Sequence, residues 1–213
     1  MIVEHRYVDF MNSLEREEFP YLEELERYAL DTDVPIIRKE MQSFLKTLLT
    51  MNKPRQILEV GTAIGFSALL MSEYMPEDGH ITTIEKYEKR IPLARENFEK
   101  NGKAEKITLI EGDATDVLAQ LSGQYDLIFM DAAKGQYIHF LPDILRLLKP
   151  GGVLLSDNVL QDGDVIQSRY AVTRRNRTIH GRMREYLYEL KNHPQLQTSI
   201  LPVGDGITLS VKK

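Results

Sequence analysis

From residue 56 onward, the chain alternates between short apolar runs and longer segments that carry an apolar residue every three or four positions. Short apolar runs predict buried strands, and the periodic segments predict helices that cover them. The predicted strands lie at 56–60, 81–84, 107–110, 126–130 and 152–155. The predicted helices lie near 66–75, 87–101, 114–121 and 136–148. This alternation is typical of an α/β domain with a mainly parallel sheet and helices on both faces.

The two ends of the chain follow other patterns. Residues 1 to about 52 predict an N-terminal helical extension, whose last helix begins at Val34-Pro35 and carries a broad apolar stripe. The stripe consists of Ile36, Ile37, Met41, Phe44, Leu45, Leu48 and Leu49. Such a stripe covers either the sheet or a partner subunit. At the other end, a helix over roughly 178–192 precedes 198–203 and 207–211, which flank a glycine turn and predict an antiparallel hairpin.

Length and composition limit the class of protein. A chain of 213 residues without repeats or linkers suits one domain, with 1–52 as the extension and 53–213 as the cofactor-binding core. The absence of cysteine excludes disulfides, thiolate metal sites and cysteine nucleophiles. No apolar run approaches the ~20 residues that span a membrane, and the N-terminus lacks the apolar core of a signal peptide. We therefore expect a cytoplasmic protein without a membrane partner.

Charge is distributed unevenly. The net charge of -5 argues against nucleic acid, yet 169–184 contains six arginines and no acid. Such asymmetry is a sign of a polyanionic partner. The alternative is a solvated helix face whose arginines pair with acids elsewhere in the chain.

A glycine turn follows the first predicted strand, in Gly61-Thr-Ala-Ile-Gly65. Glycines are needed where the backbone approaches a ligand or where φ turns positive, although any tight strand-to-helix turn also uses them. Each predicted strand delivers an acid to the same edge of the sheet, where open α/β sheets bind ligands. These acids are Glu59, Glu85, Asp113, Asp131 and Asp157. The alternative is that each acid caps the next helix.

The spacing of the glycines and of Glu85 indicates the kind of cofactor. Glu85 lies 20 residues beyond Gly65, where an acid accepts hydrogen bonds from ribose hydroxyls. The pattern G-x-x-x-G lacks the middle glycine that lets a backbone close on a pyrophosphate. An adenosine cofactor without phosphate fits better, which favours S-adenosylmethionine (SAM) over a nicotinamide dinucleotide.

A second group of polar residues predicts a metal site. Asp131, Asp157 and Asn158 offer only oxygen ligands, which suit a hard cation such as Mg²⁺. Neighbouring strand residues point to opposite faces, so Asp157 and Asn158 converge only if the chain bends there; a cap-and-turn pair is the alternative. Lys134 follows Asp131 by three residues and is a candidate general base beside a cation, or else a solvated lysine at a helix start.

Five stretches together resemble the class I SAM-dependent O-methyltransferases of the catechol and caffeoyl-CoA type. They are ILEVGTAIGFSALLM, TTIEKYEKR, EGDATDVL, YDLIFMDAAKGQY and LLKPGGVLLSDNVL. The resemblance implies a Rossmann-like fold, a metal on Asp131, Asp157 and Asn158, and catalytic roles for Lys134 and Asp131. It implies cofactor contacts from Ile37, Glu59, Gly61, Ser67, Glu85, Asp113, Ala114 and Asp131. Ala63 departs from the family pattern, since many methyltransferases have another glycine there.

The C-terminal stretch from Arg174 onward looks like that of the bacterial tRNA 5-hydroxyuridine methyltransferases, a branch of the same superfamily. This implies methylation of the 5-hydroxyuridine hydroxyl at the anticodon wobble position of tRNA, giving 5-methoxyuridine, by a homodimer. The predicted RNA contacts are Arg169, Arg174, Arg175 and Arg177. The rival readings are a small-molecule methyltransferase for catechols or caffeoyl-CoA-like compounds, and a non-catalytic nucleotide- or RNA-binding module.

Overall fold

The computed structural model describes residues 2–16 and 19–213; residues 1, 17 and 18 of the predicted N-terminal extension lie outside them. Seven strands form one sheet in the order β3-β2-β1-β4-β5-β7-β6. The strands are β1 (Gln56–Val60), β2 (His80–Glu85), β3 (Ile107–Glu111), β4 (Tyr125–Met130), β5 (Leu148–Ser156), β6 (Leu196–Leu201) and β7 (Ile207–Lys212). The first five strands are parallel, and β7 is antiparallel to both β5 and β6. The predicted fold class and the C-terminal hairpin are confirmed.

Eight α-helices flank the sheet in the described part of the chain. They are α1 (His5–Ser13), α2 (Pro20–Asp31), α3 (Lys39–Asn52), α4 (Phe66–Tyr74), α5 (Ile91–Lys100), α6 (Ala114–Gln120), α7 (Tyr137–Leu147) and α8 (Arg177–Asn192). None of these helices combines the length and apolar character needed to cross a membrane. The predicted helix at 87–101 begins later than expected, because Pro92 lies in its first turn, the position that proline favours.

The prediction that a helix begins at Val34-Pro35 is wrong. The helix begins at Lys39, and residues 34–38 have no regular secondary structure. A proline disfavours the helical conformation of the residue before it, and Asp33 has a φ of 53°. Ile36 and Ile37 therefore lie on a loop at the edge of the sheet instead of on the helix stripe.

The remainder of the α3 stripe packs inside the chain. Met41, Leu45 and Leu49 are at most 1% exposed, in a core on one sheet face that also includes Ile57. Helices α2–α5 contribute to this core, whereas α6–α8 cover the other face, which Leu58 reaches. Successive strand residues point to opposite faces, so the two cores follow from the strand pattern. The α3 stripe therefore packs against the sheet, which was one of the two alternatives; the other was a partner subunit.

Candidate active site

A cavity of about 480 Å³ opens at the carboxyl ends of the parallel strands. The strand order reverses there, between β1 and β4, which is where open α/β sheets bind ligands. Most of the predicted site residues meet in its wall. These are Ile37, Gly61, Ser67, Glu85, Asp113, Ala114, Asp131, Lys134 and Asn158.

Close contacts require both glycines of the turn. Gly61 has a φ of +108°, and a Cβ on it would lie 2.1 Å from the carbonyl oxygen of Asp131. Gly65 precedes α4 with a φ of +87°, and a Cβ there would lie 2.5 Å from the Phe98 ring. Ala63 has a φ of 48°, in the left-handed region where glycine is least strained. This conformation explains why a glycine would suit the position at which the chain departs from the family pattern.

Glu85 is held by backbone amides at the cavity wall. Its Oε1 accepts hydrogen bonds from the amides of Lys86 (2.9 Å) and Tyr87 (2.8 Å), and its Oε2 accepts from Ala63 (2.8 Å). A carboxylate offers about four lone-pair sites. The half-buried side chain therefore has a fixed position and capacity left for a ligand hydroxyl.

Asp113 caps a helix, which was the alternative to a ligand-binding role in the sequence analysis. Its Oδ1 accepts from the amide of Thr115 at 2.9 Å and caps α6, and its Oδ2 lies 3.0 Å from Lys86 Nζ. The Thr115 amide and the Lys86 ammonium lower the pKa of Asp113 to about 2. Because Asp113 also lines the cavity, an occupant would meet an ionised carboxylate that is paired with Lys86.

Glu59 lies beneath the cavity and is fully buried. It accepts hydrogen bonds from the hydroxyls of Ser67 and Thr83. Burial raises the pKa of Glu59 to about 7, and the nearby charges of Asp131 and Glu85 add to this effect. The structure thus connects Glu59 to the cavity through Ser67, and direct contact between Glu59 and the cofactor stays a prediction.

The predicted metal ligands converge at the ends of β4 and β5. The required bend is present, since β5 ends at Ser156 and Asn158 has a φ of 61°. Asn158 Nδ2 donates to Asp131 Oδ1 at 3.1 Å, and the Asn158 amide donates to Asp157 Oδ1 at 2.7 Å. All three residues border a second cavity of about 220 Å³.

The chemistry of this donor set fits a hard cation. Burial raises the pKa of Asp131, and burial together with the charge of Asp131 raises the pKa of Asp157 to about 7. Two crowded, buried carboxylates and an amide oxygen are ligands that Mg²⁺ accepts. The described residues contain no group of three or more His, Cys, Asp or Glu side chains placed to hold a metal; here the third ligand is an asparagine.

Two arrangements at the site escaped the sequence analysis. The buried Tyr137 hydroxyl lies 3.1 Å from the carbonyl oxygen of Met130 and 3.2 Å from that of Asp157, and so ties the end of β4 to the end of β5. Arg38 Nη2 donates to Asp205 Oδ2 at 2.9 Å beside the second cavity. The YDLIFMDAAKGQY motif contains Tyr137 but does not reveal its partners, and Arg38 and Asp205 are 167 residues apart.

The arginine-rich segment reaches the rim of the cavity. Arg182 Nη1 donates to the Gly135 carbonyl at 3.1 Å, beside Lys134, which lines the cavity. Arg177 and Arg184 also donate to backbone carbonyls. Arg169, Arg174 and Arg175 are exposed. Within residues 2–16 and 19–213 none of the six arginines forms an ion pair with an acid, so the pairing alternative is not what the structure has.

Comparison with known proteins gives consistent matches. The sequence model of the O-methyltransferase family matches residues 12–213. Caffeoyl-CoA O-methyltransferase 5 of Nicotiana tabacum is 36% identical over 180 residues, which cover 78% of this chain and 72% of that protein. Catechol O-methyltransferase of Niastella koreensis is 35% identical over 58% of each chain. The SAH-bound structure of the Podospora anserina methyltransferase PaMTH1 superposes with a TM-score of 0.88 at 29% identity, covering 98% of this chain and 94% of that one.

Proposed function

From the premise that the chain belongs to the O-methyltransferase family and is a SAM-dependent O-methyltransferase, we propose that it methylates RNA. Its acceptor is the hydroxyl of 5-hydroxyuridine at the wobble position of a tRNA anticodon loop, the product is 5-methoxyuridine, and Mg²⁺ assists. The observation that carries this proposal is the acid-free arginine segment, which contacts the cavity rim at Gly135 and leaves three arginines exposed.

The residues of the larger cavity suit the cofactor. The free acceptor capacity of Glu85 suits ribose hydroxyls, and Gly61 lets the turn after β1 pack closely against the backbone of Asp131 at the strand crossover. Ile37 adds apolar surface from the loop before α3. When bound, SAM supplies a sulfonium methyl group that an activated oxygen can attack.

Asp131, Asp157 and Asn158 would hold Mg²⁺, which supplies Lewis acidity that lowers the pKa of a bound hydroxyl. In 5-hydroxyuridine the hydroxyl lies beside a ring carbonyl, and these two neighbouring oxygens suit one cation. Tyr137 holds the strand ends that carry the ligands. Lys134 lies in the cavity wall, where its positive charge acts against the raised pKa of Asp131 and Asp157. To act as the general base, the Lys134 amine would first have to give up a proton, and in that neutral form it would accept the proton of the hydroxyl.

The proposed acceptor is an unpaired base, and the arginine segment would contact the RNA around it. A wobble base is unpaired, so an enzyme can take it without melting a helix. Arg169, Arg174 and Arg175 would contact phosphates and position the loop. Arg177 is partly engaged by the backbone of its own segment, so we assign it a smaller share of the phosphate contact.

A homodimer is part of the proposal and rests on α1. The exposed apolar residues of α1, together with Leu14, which directly follows it, recur at helical spacing and form one stripe, Tyr7, Phe10, Met11 and Leu14. Only Val8 of this helix is buried. A large exposed apolar stripe is typical of an interaction surface, and a second copy of the chain would cover it.

The second candidate is a small-molecule O-methyltransferase, which the caffeoyl-CoA and catechol relatives favour. An assay with purified protein, Mg²⁺ and methyl-labelled SAM distinguishes the two candidate functions. The acceptors are a stem-loop containing 5-hydroxyuridine, the same stem-loop with uridine, catechol and caffeoyl-CoA. We expect label as 5-methoxyuridine in the first RNA alone, and label restricted to the small molecules would reject our proposal. Asp157→Ala should abolish the labelling, which a non-catalytic binding module would not predict.

A further inference from the structure

The segment before α8 exposes an aromatic side chain that the fold does not use for packing. Tyr170 is 84% exposed, whereas Val172, two residues later, is 4% exposed and anchors the segment. Arg177 Nε donates to the Val172 carbonyl at 3.2 Å, and the Arg177 guanidinium lies 5.8 Å from the centroid of the Tyr170 ring. A ring held by a cation from its own segment, with most of its surface in water, is available to a ligand.

The same segment borders the active site. Arg182 bonds to Gly135, and His180 Nε2 lies 3.1 Å from the Gln167 carbonyl oxygen, which ties the segment before Tyr170 to α8. The neighbouring Arg169 and Arg174 are exposed, and residues 169–184 contain no acid. Tyr170 therefore stands in a positively charged surface connected to the cavity rim.

Unpaired RNA bases stack on aromatic rings, and a nearby guanidinium adds a cation–π contribution. We propose that Tyr170, together with Arg177, is a stacking platform for the unpaired base next to the nucleotide that is methylated. This inference rests on the proposed function, because it requires RNA as the substrate. Arginines that contact phosphate position any RNA, whereas a stacking platform favours a loop over a duplex.

The test measures binding of an anticodon stem-loop by fluorescence anisotropy over a series of salt concentrations. Tyr170→Ala should weaken binding by about 5- to 150-fold, the range expected for one stacked base, and leave the salt dependence unchanged, because no phosphate contact is lost. Tyr170→Phe should bind like the unmodified protein. Tyr188→Ala removes another exposed tyrosine of the same region, 69% exposed, and should have no effect.

Stem-loops with a single abasic site identify the partner base. The unmodified protein should bind a stem-loop less tightly when the base adjacent to the wobble position is missing. Tyr170→Ala should bind that abasic stem-loop and the complete stem-loop with equal affinity, because the variant has already lost the stacking contact. Methylation of free 5-hydroxyuridine nucleoside should be equal in Tyr170→Ala and the unmodified protein.

Two results would overturn the platform. One is unchanged stem-loop affinity of Tyr170→Ala, and the other is equal loss at every abasic position with an altered salt dependence. In both cases methylation of the stem-loop by the unmodified protein would leave the proposed function standing. If the unmodified protein methylates catechol and no RNA, the proposed function fails and the platform fails with it. Impaired catechol methylation by Tyr170→Ala would then assign the ring to a small aromatic acceptor.

Discussion

Single residues at this site are constrained by what lies directly against them. Gly61 is the sharpest case, because a side chain there would overlap the backbone at the end of β4. Glu59 is constrained differently, by burial of a carboxyl group between two hydroxyl donors. The first constraint is steric and the second is electrostatic, so they respond to different measurements.

We expect Gly61→Ala to lower the free energy of unfolding by at least about 2 kcal/mol and to weaken SAM binding at least tenfold, since its Cβ would lie 2.1 Å from the Asp131 carbonyl oxygen. Gly123→Ala is the matched control. Its φ of +107° is nearly the same, but nothing lies within 4 Å of its Cβ. Thermal unfolding and calorimetric titration with SAM check both variants. Equal losses would show that backbone strain alone, without the overlap, explains the effect.

The buried carboxyl group of Glu59 should make stability depend on pH. Its pKa is about 7 in the folded chain against 4.5 when unperturbed, so the folded state binds the proton more tightly. Its contribution is complete below pH 4.5 and is lost as the pH rises toward 7, by up to about 3 kcal/mol. Urea unfolding at several pH values should show a smaller loss in Glu59→Gln than in the unmodified protein, because the raised pKa values of Asp131 and Asp157 remain in the variant. The exposed Glu105→Gln is the control, and identical slopes in all three proteins would contradict the prediction.

At the scale of elements, the place where a helix begins or packs determines which side chains reach the cavity. The loop at 34–38 brings Ile37 to the cavity because α3 begins only at Lys39. The arginine segment reaches the cavity rim because α8 packs against the turn that contains Gly135. In both cases the group reaches the site through a loop or turn that lines the cavity, residues 34–38 or Lys134–Gln136.

The arginine segment predicts a salt effect. We expect RNA affinity to fall steeply as salt rises, because phosphate contacts release counterions. Arg174→Ala combined with Arg175→Ala should reduce the slope of log affinity against log salt by about 2. Lys100→Ala combined with Lys213→Ala removes the same charge from distant exposed positions. If both double variants change the slope equally, the effect reflects net charge and the segment is not the RNA contact.

At the scale of the whole molecule, the two sheet faces are covered by the chain's own helices, yet α1 leaves its apolar stripe exposed. We expect Phe10→Glu combined with Leu14→Glu to convert a dimer into a monomer, since two charges would lie within the apolar contact. Light scattering during gel filtration measures the mass directly. Met51→Glu combined with Tyr188→Glu alters two other exposed apolar residues and should leave the mass unchanged. A monomeric unmodified protein would contradict the homodimer.

The sequence by itself determined the α/β class, the strand positions, the C-terminal hairpin and the acids at a common edge. These features follow from local periodicity and from turns such as Gly61 to Gly65. They can be predicted because they depend on residues that are close together in the sequence. Sequence also supplied Asp131, Asp157 and Asn158 as candidate ligands, with the condition that the chain bend at Asn158.

Only the tertiary structure decided the rest. It showed that the bend exists, that Asp113 caps a helix while lining the cavity, and that Glu59 lies beneath Ser67. It buried the α3 stripe within the chain and left the α1 stripe exposed. It also showed that Arg38 pairs with Asp205, and that the arginine segment has no acid partner within the described residues. The physical reason is common to all of these: burial and pairing depend on residues that are distant in sequence, and no local pattern records which of them meet.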